Sequence, residues 1–265
     1  MYAPFLKTTL EHAAELALQK YKKVSISVKP EDNNQVLTEA DIAIGQYIVE
    51  AIERGYPGHN IIDEEAGVFD KGSAVTWVVD PIDGTSNFAA GTPLYGCMVG
   101  VLENDVPVAG GVVLPGLNEL YLAQKGQGAT CNGDPIHVSP VTELKNALIA
   151  YGIDGHQESP ELTLGEVQVL GSIILAIRNL RTSNSAYDMM MAARGSYGAY
   201  LNKTSKIWDN VAPQIITEEA GGIYTDFYGK PIDYRDALVR ADANFTACAG
   251  APALHLALQE IINKP

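Results

Sequence analysis

The chain is short of cysteine, of basic residues and of long apolar runs, and each shortage excludes something. Its three cysteines, Cys97, Cys131 and Cys248, are far apart and form no C-x-x-C pair, so neither a disulfide framework nor a zinc site is indicated. Lys and Arg total 18 against 32 Asp and Glu, a net charge of −14. A surface that acidic repels phosphate, which argues against a nucleic-acid polymer or an anionic membrane as partner. No run of eighteen or more uncharged apolar residues occurs, so no membrane-spanning helix is expected. Lys7, Glu11, Glu15 and Lys20 interrupt any signal-peptide core. A reduced, cytoplasmic protein is the expectation. What is present is enough to fold: 46% of the 265 residues are apolar, which excludes disorder and fits one large domain or two joined halves. A chain this acidic that handles phosphate must bring positive charge in locally, most simply as metal ions.

Hydrophobic spacing predicts helices over 5–23 and 39–54, the second with Thr38 as N-cap and Asp41 at its third helical position. The period then changes. Residues 60–63 and 74–80 are short apolar runs ending in acids, read as buried strands with carboxylates at their C-terminal ends. Residues 94–102, 107–114 and 119–124 are β-rich, joined by turn signals, and suggest an antiparallel meander. Beyond 146, strands are expected at 147–151, 197–202, 223–227 and 246–248. Helices are expected at 160–179, 184–194, 209–220 (closed by Gly221-Gly222) and 252–263. The fold class is α+β, with halves 1–145 and 146–265 forming one unit.

The densest chemistry is Asp80-Pro81-Ile82-Asp83-Gly84-Thr85-Ser86-Asn87-Phe88. An apolar strand delivers Asp80, Pro81 is expected to end the ladder, and Asp83 brings a second carboxylate to the same turn. Gly84 permits close approach of backbone to a ligand, and the residues after it can open a helix whose N–H groups attract an anion. Two hard carboxylates beside such a helix start suit a Mg²⁺-assisted phosphate site. An Asx turn followed by a helix cap explains the same letters. Glu64-Glu65 after Asp63 reads either as an exposed acidic turn or as acids neutralised by a cation. Asp209, after Trp208, reads as a ligand or a simple N-cap, and Asp41 as a site residue or a first-turn dipole partner. The five histidines are scattered, and Met189-Met190-Met191 reads as core.

Taken together, Asp41, Glu64-Glu65, Asp80 to Thr85, Trp208-Asp209 and Glu219 to Gly222 resemble the inositol monophosphatase family, within the lithium-sensitive, magnesium-dependent phosphomonoesterases. The likeness covers nearly the whole chain. It implies a layered α-β-α-β-α sandwich of the kind shared with fructose-1,6-bisphosphatase, a homodimer, and two or three Mg²⁺ ions. Carried onto this chain, it makes Glu64, Asp80, the Ile82 carbonyl, Asp83 and Asp209 metal ligands. Glu64 and Thr85 hold the attacking water, with Asp41 beside it. Asp83, Gly84, Thr85, Ser183, Asn202 and Asp209 face the substrate. The activity implied is hydrolysis of a small phosphomonoester such as an inositol monophosphate. Asn202 departs from the pattern, because members that hydrolyse inositol phosphates carry glutamate there, and Arg181-Thr182-Ser183-Asn184 replaces a small-residue segment.

Alternatives remain at this point. A 3′(2′),5′-bisphosphate nucleotidase resembles the chain too, although Ser86-Asn87-Phe88 differs from the Lys-Glu-Phe usual there. Another sugar phosphatase, such as a fructose-1,6-bisphosphatase, and a non-catalytic docking protein on the same fold are the others. A haloacid-dehalogenase nucleophile is disfavoured, since Ile82 occupies the place of the first Asp in D-x-D-x-T.

Overall fold

The computed structural model of the chain describes residues 2–21, 26–29 and 32–264, and for 26–29 and 32–38 the backbone course alone. In order, the elements are α1 (Ala3–Lys20), the hairpin β1 (Ile26–Lys29) and β2 (Asp32–Thr38), α2 (Glu39–Gly55), β3 (Asn60–Asp63), β4 (Gly67–Phe69), β5 (Val75–Asp83) and α3 (Thr85–Ala89). There follow β6 (Gly96–Glu103), β7 (Val106–Leu114), β8 (Glu119–Gln124), β9 (Ala129–Cys131) and β10 (Asp134–Pro135). The remainder comprises β11 (Leu148–Gly152), α4 (Pro160–Ala176), β12 (Asn179–Arg181), α5 (Ala186–Ala193), β13 (Ala199–Ser205), α6 (Val211–Glu219), β14 (Ile223–Thr225), β15 (Phe245–Gly250) and α7 (Pro252–Ile262).

Two larger sheets result. One has eight strands in the order β10-β9-β8-β7-β6-β5-β3-β4, the other five in the order β12-β11-β13-β15-β14. Strand periodicity of two shows why helices cover both faces of each. In β6, Cys97, Val99 and Val101 pack with α1 and α2 (Leu6, Leu10, Ile44, Ile48), while Met98 points the other way into a core shared with α5 and α6. In the smaller sheet Ala150, Tyr200, Ala247 and Ala249 face that same central core, and Ile149, Tyr151, Leu201 and Cys248 face α4 and α7 through Leu170, Ile173, Leu254 and Leu258. The layers are therefore α1/α2, sheet, α5/α6, sheet, α4/α7, as the resemblance implies. Met189, Met190 and Met191 lie in the central layer, as read from the sequence. Cys97 and Cys248 are buried, and burial raises both thiols, Cys248 to about 12, so neither is a poised nucleophile.

Several boundaries differ from the sequence reading. Strand β5 does not stop at Pro81. It runs to Asp83 with a register break between Asp80 and Asp83, so the proline occupies an irregularity that needs no N–H from it. Helix α4 ends at Ala176 because Ile177 is extended, and the following residues form β12, parallel to β11. Helix α6 begins at Val211, so Asp209 precedes it and Asn210 is the N-cap. The expected Thr38 cap falls on a side chain outside the described residues.

One packing detail sets the position of the site. Gly100 and Gly110 are directly opposed on β6 and β7. A Cβ on Gly100 would lie 2.6 Å from Val211 Cγ1, and one on Gly110 2.8 Å from Ala212 Cα. The paired glycines form a dent into which the first turn of α6 seats, which fixes the residues just before it against β5. Gly100→Ala is expected to cost about 1–3 kcal/mol through overpacking. Because it pushes Asp209 outward, it should also weaken divalent-cation binding. Thermal melts with and without Mg²⁺ check both.

Candidate active site

Three segments converge between the two sheets. Glu64 leaves β3 in a turn made by Asp63, whose Oδ1 accepts the N–H groups of Glu65 (2.9 Å) and Ala66 (2.7 Å). The Glu64 N–H donates to the Val79 carbonyl (3.2 Å), which sets it beside Asp80 on the parallel strand β5. Asp80 and Asp83 project from the irregular end of β5. Asp209 comes from the turn before α6, where its Oδ2 accepts the Lys206 N–H at 2.6 Å. Single carboxylate oxygens of Asp80, Asp83 and Asp209 all lie within 4.8 Å of one another.

This clustering is costly without a counter-charge. Burial raises the Asp80 carboxyl well above the ordinary carboxylate range, and the charges of Glu64, Asp83, Asp209 and Asp41 add to it. Asp83 is raised by burial and then by Asp209 and Glu64, against a backbone hydrogen bond from Ala186 at the start of α5. Asp209 is raised to about 6 by burial, with the Lys206 N–H opposing. Asp80 Oδ1 and Asp83 Oδ2 are buried and make no hydrogen bond. Orphaned buried anionic oxygens are what a divalent cation would satisfy, and an all-oxygen donor set suits Mg²⁺. The residues present therefore fit the metal.

Beside the carboxylates, Gly84 is left-handed (φ 86°) and precedes the short helix α3. A Cβ there would lie 2.7 Å from Ser185 Cβ and 3.0 Å from the Leu94 carbonyl, so only glycine closes the loop this tightly. The Thr85 hydroxyl lies 2.8 Å from the Ile82 carbonyl and 3.1 Å from Asp41 Oδ1. Asp41, 1% exposed on α2, thus stands behind Thr85 rather than on the cavity wall. Asn87 Nδ2 ties α3 to the other half by donating to the Ser183 carbonyl (2.8 Å).

The carboxylates form one end of a cavity of ≈ 490 Å³. Glu64, Asp80, Ile82, Asp83, Gly84 and Thr85 line it from the first half, and Ser183, Asn202 and Asp209 from the second. Of the candidate site residues named from the sequence, all but Asp41 line this cavity, and Asp41 reaches it through Thr85. A sequence model of the inositol monophosphatase family matches residues 2–262. The chain belongs to the inositol monophosphatase family. Among its relatives, a protein of Aquifex aeolicus named fructose-1,6-bisphosphatase/inositol-1-monophosphatase is 30% identical over 246 residues, covering 92% of this chain and 88% of that one. A Vibrio cholerae relative named Nus factor SuhB is 32% identical over 215 residues, 80% of this chain and 79% of that one. A solved structure of an IMPase from Thermotoga maritima superposes with a TM-score of 0.84 at 28% identity, over 97% of this chain and 94% of the other.

In this inositol monophosphatase family member the segment from Arg181 to Asn184 is divided in its placement. Arg181 is not among the cavity residues, and its guanidinium donates to the Leu180 carbonyl. Asp154, by contrast, lines the cavity. Asp188 Oδ2 accepts the N–H groups of Ser183 (2.6 Å) and Asn184 (3.1 Å), fixing the strap that crosses the cavity.

Proposed function

We propose that the chain is a Mg²⁺-dependent phosphatase of small phosphomonoesters, such as an inositol monophosphate, using a water molecule as nucleophile. The observation that carries the reading is the set of three carboxylates within 4.8 Å, two of them with buried oxygens that lack a hydrogen-bond partner. Asp80, Asp83, Asp209, Glu64 and the Ile82 carbonyl would hold the ions. Magnesium bound there supplies neutralisation of the phosphate dianion, acidification of water and stabilisation of the leaving alkoxide.

The remaining steps belong to the chain. The Thr85 hydroxyl has one proton and two acceptors in reach, Asp41 Oδ1 and the Ile82 carbonyl. Its lone pairs are thereby turned to the attacking water, and Glu64 takes the water's other hydrogen bond. The first N–H groups of α3 have no partner within the helix, and the Gly84 and Thr85 amides would bind phosphate oxygens. The water's oxygen would bond to phosphorus as one of its protons passes to Glu64, the ester P–O bond would break, and that proton, returned through solvent to the leaving oxygen, would complete the alcohol that departs with inorganic phosphate. Because the transition state is loose, orientation and charge carry most of the rate.

Inhibition by millimolar Li⁺, a cytoplasmic setting and the working of 1–145 and 146–265 as one unit belong to the same proposal. So does a homodimer, for which α4 leaves Leu164 at 65% and Leu175 at 90% exposure. No helix among the described residues is long and apolar enough to cross a membrane. The relatives named Nus factor leave a docking function open beside hydrolysis. The complete carboxylate set favours hydrolysis as the activity of this site. Phosphate release from inositol 1-phosphate and p-nitrophenyl phosphate should require Mg²⁺ and stop with chelator. Release that ignores chelator contradicts the reading.

A further inference from the structure

Asn210 holds the N-cap position of α6 but does not cap it, since its side chain accepts no N–H from the first turn. It turns back instead into the loop that carries Asp209, and every polar atom of its amide is used there. One Nδ2 proton goes to the Lys206 carbonyl (2.5 Å) and the other to the Ser205 hydroxyl (2.9 Å), while Oδ1 accepts the Tyr224 hydroxyl (3.0 Å). The neighbours fix which end of the amide is which. Ser205 Oγ donates its own proton to the Phe245 carbonyl (3.0 Å), so toward Asn210 it accepts. Tyr224 is buried, and burial followed by the charge of Asp209 raises its phenol well above the ordinary value, so toward Asn210 it donates. Ser205, Asn210 and Tyr224 are all buried.

The backbone of Lys206 is what this network holds. Its N–H donates to Asp209 Oδ2 (2.6 Å), and its carbonyl accepts both the Asn210 amide and the Asp209 N–H (3.3 Å). Lys206 thus fixes Asp209 at side chain and main chain, and Asn210 sets where Lys206 lies. Asn210 and Tyr224 are not on the cavity wall, so both act through Lys206 rather than by contact with substrate or ion. Glu64, Asp80 and Asp83 come from the larger sheet, whereas Tyr224 and Phe245 belong to β14 and β15 of the smaller one. The network therefore ties Asp209 to the smaller sheet. Like charge pushes Asp209 away from Asp83, so its turn has to be held from behind. A buried polar network with every member satisfied supplies that rigidity.

We propose that Asn210, oriented by Tyr224 and Ser205, is a positioning residue that registers Asp209 against the carboxylates of the larger sheet and so sets the affinity of the site for Mg²⁺. The proposal deepens the phosphatase reading and rests on Asp209 as a metal ligand. Asn210 holds the Lys206 backbone, and Tyr224 acts one step further back by keeping the Asn210 amide turned toward it. Partners that orient a metal ligand typically carry about 10–100-fold in metal affinity.

The test measures the Mg²⁺ Kd by calorimetry, and the melting temperature in chelator, for the native chain, Asn210→Ala, Tyr224→Phe, the double variant and Ile216→Val. Ile216 is fully buried in the core beneath α6, so its truncation is a control for loss of stability alone. Asn210→Ala should raise the Kd by about tenfold or more. Tyr224→Phe, which leaves both Nδ2 bonds in place, should raise it by about threefold or more. The double variant should bind as Asn210→Ala does, because Tyr224 acts through Asn210. Ile216→Val should melt lower and bind Mg²⁺ like the native chain. A native Kd in either single variant overturns the proposal, as does a loss of affinity in Ile216→Val equal to theirs. Additive losses in the double variant overturn the route through Asn210. If Asn210→Ala does not fold, Tyr224→Phe decides alone. If the native chain binds Mg²⁺ and cleaves p-nitrophenyl phosphate while the variants bind equally well, the positioning role fails and the phosphatase reading stands. If the native chain neither binds nor cleaves, both fall.

Discussion

Asp80→Asn is expected to abolish turnover while leaving the metal-free protein at least as stable as the native chain. The two effects have one cause. Asp80 is buried among Glu64, Asp83 and Asp209, and both burial and their charges oppose its ionised form. Its Oδ1 makes no hydrogen bond that an amide would forfeit. Without metal, the substitution removes a charge that the fold resists and changes little else. With metal, it removes the carboxylate placed between the others, and with it several kcal/mol of transition-state charge stabilisation, about a thousandfold or more in kcat. Melting curves in chelator and in Mg²⁺, with phosphate release at saturating substrate, separate the effects. The native chain should melt higher with Mg²⁺ and the variant should not. A variant with native kcat removes Asp80 from the mechanism. Asp209→Asn makes a weaker test, since Asp209 also accepts the Lys206 N–H and an amide would lose part of that bond.

Raising the pH should destabilise the metal-free protein in the window where an ordinary carboxylate cluster would already be silent. Asp209 titrates at about 6 in the folded chain against 3.8 for the free side chain, and Asp80 and Asp83 are raised as well. The folded state therefore holds protons that the unfolded chain has released. The stability tied to the protonated groups is full below about pH 4 and is lost as pH rises through 6 and beyond. For Asp209 alone the shift corresponds to on the order of 2–3 kcal/mol at 1.36 kcal/mol per unit. Saturating Mg²⁺ competes with those protons and should reverse the trend. At a hundred times Kd it contributes about 2.7 kcal/mol above pH 7. Chemical denaturation between pH 4 and 8 with and without Mg²⁺ reads the difference, which isolates the cluster from carboxylates elsewhere. Parallel curves at all pH values would count against the cluster being the metal site.

How much of this was legible in the sequence depends on how local each cause is. Helices α1, α2, α6 and α7 declare themselves by spacing, because each buries a single stripe. Strands β6 to β8 are flagged by β-rich runs between turn signals. The layered order came from the resemblance and not from periodicity. Three features resisted reading for physical reasons. Strand β12 has three residues, two of them polar, and exists only because β11 lies beside it. Pro81 reads as a terminator, yet an irregular register lets the strand carry both acids. Asn210 reads as part of the helix at 209–220, because Ser205 and Tyr224, which set its role, are brought to it only by the fold. Asp80 and Asp83 were legible as two carboxylates on one turn, whereas Glu64 and Asp209 read equally as an acidic turn and an N-cap until the resemblance joined them to the same site.

Calorimetric titration of the chelator-treated protein with Mg²⁺ near pH 7.5 shows whether the carboxylate cluster holds the ion. At least one ion should bind per chain with release of protons, because Asp80, Asp83 and Asp209 must be ionised to coordinate it. The same titration of the Asp80→Asn protein should show that binding greatly weakened. No binding by the native chain at about 10 mM Mg²⁺, well above the millimolar range of weak protein sites for such cations, or equal binding by the variant, would contradict it.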